Sequence, residues 1–209
     1  MPALAGSRYH GRIMTITPNT LTPGALLSRL SVPTRQLAAP GPDDAALLRM
    51  LHVAVRVPDH GKRVPFRFIR IAGSAREALA DAASLRFRER EPNPAEGAVE
   101  KLRSRFLLPP LTLAVIARLG ADDKIPASER FPTASCVCLL LLQAAQAEGF
   151  GAQWLTGWPA YDRPFLEHTL GLAEDEQLVG TIAIGTAQVA VPDRERPDPL
   201  ALLQDWPLP

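Results

Sequence analysis

Three apolar runs in the second half of the chain constrain the fold most, because they differ in length. Residues 111–116 and 178–185 form short, continuous runs, which are typical of strands buried on both faces. Residues 131–148 form a much longer run that suits a helix, and the Gly149 that follows is a common helix C-terminal residue. We therefore predict a long buried helix that packs against a sheet.

Helix and strand signals alternate through the rest of the sequence. Thr22 followed by Pro23 predicts a short helix, and Asp43 followed by Asp44 predicts the start of another. Prolines at positions 33, 40 and 42 favour an extended segment over residues 31–42. Further helices are predicted over residues 75–90, 95–106 and 162–170, and further strands over residues 66–71 and 151–156. The predicted fold class is α+β, with helices flanking a sheet.

Length and composition favour one compact domain with a tail at each end. With 209 residues, of which 46% are hydrophobic, the chain can bury one sizeable core. Residues 1–20 show no sustained periodicity and are predicted to form a flexible N-terminal extension. We assign residues 21–198 to the domain and residues 199–209 to a C-terminal tail.

The charge balance and the hydropathy limit the classes of partner. The 23 basic and 22 acidic side chains leave a formal net charge of +1, which predicts no overall attraction to nucleic acid or to an anionic membrane. The strongest apolar run, residues 134–145, is shorter than the roughly twenty residues that span a bilayer. No signal-peptide pattern precedes Pro18. We therefore expect a cytoplasmic protein.

The sequence contains no familiar metal, nucleotide or disulfide motif. Cys136 and Cys138 are one residue apart within the predicted helix, so we expect two buried free thiols. The four histidines are far apart in sequence, which predicts no metal site. Gly149-Phe-Gly151 lacks the third glycine of a dinucleotide fingerprint and leads from a helix into a strand, so we exclude a Rossmann domain.

Three short polar segments together suggest a site for a flat, partly apolar ligand that carries a phosphate. Arg29-Leu-Ser31 offers a guanidinium and a hydroxyl for charge-assisted hydrogen bonds. The turn from Arg56 to Lys62 offers further cationic groups, and Trp154-Leu-Thr-Gly157 places an aromatic ring, a hydroxyl and a glycine at a strand end. Each segment alone also has a structural explanation, as a surface ion pair, a core position or a turn.

Seven short motifs follow one another along the chain in a specific order. They are Arg29-x-Ser31-Val, Pro40-Gly-Pro42, Arg56-x-Pro-Asp-His60, Pro65-Phe66-x-Phe68, Lys124-Ile-Pro126, Gly149-Phe-Gly151-x-x-Trp154-x-Thr-Gly157 and Gly185-Thr186. In order and spacing they resemble the nitroreductase-like flavoproteins, and within that family the chain is most similar to the compact branch of NAD(P)H nitroreductases. The resemblance covers residues 21–198.

The resemblance implies an FMN-dependent oxidoreductase with a nitroreductase-like α+β fold, whose central, mostly antiparallel sheet is flanked by helices. It also implies an intertwined homodimer with FMN at the interface. NADH or NADPH would reduce the flavin, and a nitroaromatic, a quinone or a similar small molecule would accept the hydride in ping-pong turnover. Because the cofactor carries the chemistry, no side chain is assigned as catalytic.

The resemblance also assigns flavin contacts to residues of this chain. The assigned contacts to the phosphate and ribityl chain are Arg29, Leu30 and Ser31. Those assigned across the dimer interface are Arg56, Pro58 and His60. Those assigned beside the ring are Trp154, Leu155, Thr156 and Gly157. Three positions depart from the family pattern. Leu30 and Leu155 stand where arginine occurs in relatives, and Phe66 stands where tryptophan is usual. The change at position 30 removes a cation near the phosphate.

Two other functions remain open from the sequence. A flavin-binding sensor would keep the phosphate and ring contacts but close the pocket over the reactive face of the ring. A flavin dehydrogenase on the same fold would take hydride from its substrate instead of from a nicotinamide. Reduction of bound flavin by NADH or NADPH without oxygen distinguishes these three functions.

Overall fold

The computed structural model describes residues 22–206, and the predicted N-terminal extension lies outside them. The helices are α1 (Pro23–Leu27), α2 (Asp44–Ala54), α3 (Ala75–Arg90), α4 (Glu96–Leu107), α5 (Ala127–Ala147) and α6 (Arg163–Leu170). The strands are β1 (Leu37–Ala38), β2 (Phe66–Ala72), β3 (Leu111–Arg118), β4 (Gly151–Leu155) and β5 (Glu176–Ala187). Short 3-10 turns cover Thr34–Gln36, His60–Lys62, Trp158–Ala160 and Pro199–Leu202.

All strand pairs of the described sheet are antiparallel. β5 pairs with β3 along one edge and with β4 and β1 along the other, and β2 pairs with the outer edge of β3. The long β5 therefore lies at the centre, and helices cover both faces of the sheet. This architecture confirms the predicted α+β class.

β3 separates two hydrophobic clusters, as its continuous apolar sequence predicts. Leu113 and Val115 belong to a cluster that includes residues of α2 and α5, whereas Ala114 and Ile116 belong to a cluster with residues of α3, α4 and α6. Successive side chains of a strand point to opposite faces. A strand with helices on both faces therefore carries apolar residues at nearly every buried position, and Thr112 is the polar exception in β3.

α5 is the long helix that the sequence predicts, but it begins at Ala127, before the expected start, and includes Pro132. After the exposed first turn of the helix at residues 127–129, its exposed positions are Pro132, Cys136, Leu139 and Ala147, which form a mostly apolar stripe along one side. The prediction of two buried thiols is therefore wrong for Cys136, which is exposed, and right for Cys138. Residues two positions apart in a helix point to nearly opposite sides, so one of the two cysteines can be buried while the other is exposed. Burial raises the pKa of the Cys138 thiol to about 12.

Residues 31–42 are less extended than the prolines predict. A 3-10 turn and the two-residue strand β1 interrupt the segment, and the backbone N–H of Gln188 donates to the carbonyl of Gln36 at 2.9 Å. Pairing of this segment with β5 is a long-range interaction, which local proline content cannot indicate.

Two buried carboxylates join distant parts of the chain. Glu176, at the start of β5, accepts two hydrogen bonds of 2.6 Å from Arg67 on β2 and one of 3.1 Å from the backbone of Ala173. Asp162 caps α6 and accepts hydrogen bonds from Arg86 of α3. The arginine bonds lower the pKa of each carboxyl to about 2.

Within residues 22–206, no helix is long and apolar enough to cross a membrane. The same part of the chain holds no group of three or more histidine, cysteine, aspartate or glutamate side chains placed to bind a metal ion.

Candidate functional site

Arg29, Leu30 and Ser31 lie on the segment that joins α1 to the first 3-10 turn. The backbone N–H of Leu30 donates to the side-chain oxygen of Gln146 at 3.3 Å, near the C-terminal end of α5. The N–H of Val32 donates to the carbonyl of Ala152 on β4 at 2.9 Å. The segment is therefore fixed between the end of α5 and the start of β4.

A cavity of about 280 Å³ opens beside this segment. It is lined by Arg29, Leu30, Ser31, Pro192, Asp193, Arg194 and Arg196. Three guanidinium groups and one hydroxyl thus meet one carboxylate, that of Asp193, whose pKa is lowered by its hydrogen bond from Arg196. The net charge of the lining is positive, which suits an anion with several acceptor oxygens.

Arg194 and Arg196 were not among the residues that the sequence reasoning selected. They lie in the proline-rich segment after β5, more than a hundred residues from Arg29. The Arg-x-Arg spacing between Pro192 and Pro197 is the signal that could have drawn attention to them, because an extended segment places alternate residues on one side.

Arg56, Pro58 and His60 lie at the other end of α5. The hydroxyl of Thr133 donates to the carbonyl of Pro58 at 3.1 Å, and Nδ1 of His60 lies 2.8 Å from a carboxylate oxygen of Glu129. The His60 side chain is 66% exposed. The turn is thus held against the first turns of α5, with His60 at the surface.

Within one chain, the first two segments do not converge. One is anchored at Gln146 and the other at Thr133, and these residues are separated by about 20 Å along the helix axis at roughly 1.5 Å per residue. In a single subunit, the Arg29 segment and the Arg56 segment therefore lie at opposite ends of α5.

The third segment lies at the end of β4. Trp154 packs over Gly180 and its indole N–H donates to the carbonyl of Val179 at 3.3 Å, so one side of this partly buried ring packs against the hydrophobic core. Gly157 has φ +91° and ψ −174°, a conformation that glycine alone adopts readily. The carbonyl of Thr156 accepts a hydrogen bond from Arg105 of α4, another residue that the sequence reasoning missed.

The Nitroreductase family model matches residues 26–186. The chain belongs to the nitroreductase family. A relative named "Putative NAD(P)H nitroreductase YdjA" from Escherichia coli K12 is 30% identical over 154 residues, which are 74% of this chain and 82% of the relative. A relative with the name "Putative NAD(P)H nitroreductase" from Haemophilus influenzae is 31% identical over 157 residues, covering 73% of this chain and 82% of the relative.

Solved structures support the same family fold. A nitroreductase-like family protein from Bacillus cereus has a TM-score of 0.76 at 22% identity, covering 91% of this chain and 98% of that one. A protein from Desulfovibrio desulfuricans, described as a "putative nitroreductase in complex with FMN", has a TM-score of 0.67 at 21% identity, covering 91% of this chain and 100% of that one. These comparisons confirm the resemblance and place the chain in a family of oxidoreductases.

Proposed function

We propose that this protein is an FMN-dependent NAD(P)H oxidoreductase that passes hydride from a nicotinamide to a nitroaromatic, a quinone or a similar acceptor in ping-pong turnover. The observation that carries the proposal is the cavity at which Arg29, Ser31, Arg194 and Arg196 meet. Family membership supplies the reaction class.

The residues present fit a flavin phosphate. A phosphate monoester carries up to two negative charges, and planar guanidinium groups bind it through charge-assisted hydrogen bonds. The relatives are named as NAD(P)H nitroreductases, and one structural neighbour is described with FMN. We place the FMN-binding domain at residues 21–198 and the tail at 199–209, and we infer a cytoplasmic location.

We also propose that the working unit is an intertwined homodimer. Two copies packed antiparallel along the exposed stripe of α5 would bring the Arg29 end of one helix to the Arg56 end of the other. The stripe of Pro132, Cys136, Leu139 and Ala147 offers apolar surface for such a contact. Each flavin would then contact both subunits.

In this arrangement, each segment of the chain has a distinct task. Arg29, Ser31, Arg194 and Arg196 would hold the phosphate, and the backbone of Thr156 and Gly157 would position one edge of the ring. His60 of the second subunit would approach the same flavin. FMN supplies the hydride chemistry when bound, so the chain needs no side chain that acts as an acid or a base at the ring.

The purified protein is expected to be yellow and to release FMN, not FAD, on denaturation. Anaerobic NADH or NADPH should bleach the flavin absorbance, and a nitroaromatic or a quinone should restore it. A colourless protein that takes up no added FMN would contradict the cofactor assignment. Bound flavin that neither nucleotide reduces would favour the sensor, and reduction by a substrate alone would favour the dehydrogenase.

Arg29→Ala is expected to weaken FMN binding by about 2 kcal/mol, because it removes a charge-assisted contact from the phosphate. Leu30→Arg should tighten binding by restoring the cation that relatives carry. Fluorescence titration of FMN measures both. Arg35→Ala, which removes an exposed arginine that does not line the cavity, is the matched control and should leave the affinity unchanged. Equal affinities for Arg29→Ala and wild type would show that the phosphate binds elsewhere.

A further inference from the structure

Arg105, near the end of α4, contacts the loop that follows β4. Its Nη2 atom donates a hydrogen bond to the carbonyl of Thr156. Its Nη1 atom would lie 3.2 Å from a Cβ atom built on Gly157, so the guanidinium packs directly against the loop backbone. The Arg105 side chain therefore supports the backbone of residues 156 and 157.

The charge of Arg105 has no carboxylate partner among residues 22–206. Its Nε atom is buried and has no hydrogen-bond acceptor in this part of the chain. Arg67 and Arg86, by contrast, pair with Glu176 and Asp162. Burial lowers the pKa of Arg105, but a guanidinium starts from so high a pKa that it stays charged at neutral pH. Arg105 is thus a partly buried, uncompensated cation.

The surroundings of Arg105 beneath the loop are mostly apolar. It lines a small cavity of about 10 Å³ with residues that include Ile71, Leu155 and Phe165. Its guanidinium carbon lies 5.7 Å from the centre of the Phe106 ring. Apolar surroundings screen a charge less than water does. The charge of Arg105 therefore acts more strongly on a group bound against residues 156 and 157 than it would in water.

We propose that Arg105 positions the loop beside the flavin ring and raises the reduction potential of the bound flavin. The inference rests on the proposed function, in which Thr156 and Gly157 lie at the ring edge. A flavin gains negative charge in its ring on reduction, and a nearby fixed cation stabilises that charge. The reduced flavin therefore binds more tightly, relative to the oxidised flavin, than it would without Arg105.

Redox titration of the FMN-loaded protein against a reference dye tests this inference. Arg105→Gln keeps a hydrogen-bond donor for Thr156 but removes the charge, and Arg105→Lys keeps the charge but loses the planar group. Arg103→Gln is the matched control: it removes the same charge from the same helix, but from a side chain that pairs with Asp81. FMN affinity by fluorescence and thermal unfolding are measured for every variant.

Arg105→Gln is expected to weaken binding of reduced FMN relative to oxidised FMN about tenfold, which corresponds to a fall in potential of about 30 mV for a two-electron couple. Arg105→Lys should keep most of the potential, and Arg103→Gln all of it. Wild-type potential in Arg105→Gln, or an equal fall in the Lys and Gln variants, would overturn the inference and leave the proposed FMN site intact. If Arg105→Gln does not fold, the same comparison is made with Arg105→Met. Wild-type protein that binds no FMN would overturn both proposals.

Discussion

Glu176→Gln is expected to lower the free energy of unfolding by about 3 kcal/mol at pH 7, because it leaves a largely buried arginine without its counter-charge. The Glu176 side chain is 10% exposed and that of Arg67 is 26% exposed, so water replaces the lost carboxylate only in part. The two hydrogen bonds from Arg67 also join β2 to the start of β5 across β3, the strand that lies between them.

The destabilisation should depend on pH in a direction that the pKa of Glu176 sets. Hydrogen bonds from Arg67 lower this pKa to about 2 in the folded protein, below the value of roughly 4.3 for an unperturbed glutamate. A depressed folded-state pKa contributes stability above the unfolded-state pKa, and that contribution is lost as the pH falls. The difference between wild type and variant should therefore shrink between about pH 5 and pH 2.

Urea unfolding monitored by circular dichroism measures this difference at each pH. Glu96→Gln is the matched control, since Glu96 pairs with Arg88 at 3.0 Å but is 77% exposed. An exposed ion pair contributes at most about 1 kcal/mol, and usually less. Equal stabilities for Glu176→Gln and Glu96→Gln would show that the buried pair contributes no more than a surface pair.

Arg29→Ala and Arg56→Ala subunits, unfolded and refolded together, are expected to recover the tight FMN binding that neither variant has alone. In a heterodimer, one flavin site combines the intact Arg29 of one subunit with the intact Arg56 of the other, whereas the second site lacks both. This result follows if each site is shared, as the separation of about 20 Å along α5 in one chain suggests.

The mixture is titrated with FMN near the wild-type dissociation constant, where each parent variant binds little. Light scattering confirms the dimer, and differently tagged subunits allow the heterodimer to be isolated. One tight site per heterodimer supports the shared site. Verified heterodimers that recover no binding, or a monomeric wild-type protein, would contradict it. An Arg29→Ala, Arg56→Ala double variant mixed with wild type is the control, because its heterodimer should have no intact shared site.

Local signals in the sequence predicted most of the secondary structure. The side chains of Thr22, Asp43 and Asp162 cap helices near the predicted starts, because a cap depends on residues only two or three positions away. The continuous apolar run of β3 identified a strand buried on both faces. Seven ordered motifs also identified the family, which the family model and the relatives confirm.

The parts that the sequence reasoning missed depend on contacts between residues far apart in the chain. The cavity joins Arg29 to Arg194 and Arg196, and the loop at Thr156 is held by Arg105 of α4. No local pattern indicates which distant partner each of these arginines meets, since tertiary packing alone decides which segments come together. The sequence by itself therefore determined the elements, their order and the family. The tertiary structure decided which cations meet at the cavity. It also decided that one subunit keeps the Arg29 and Arg56 segments apart, because they are anchored at opposite ends of α5.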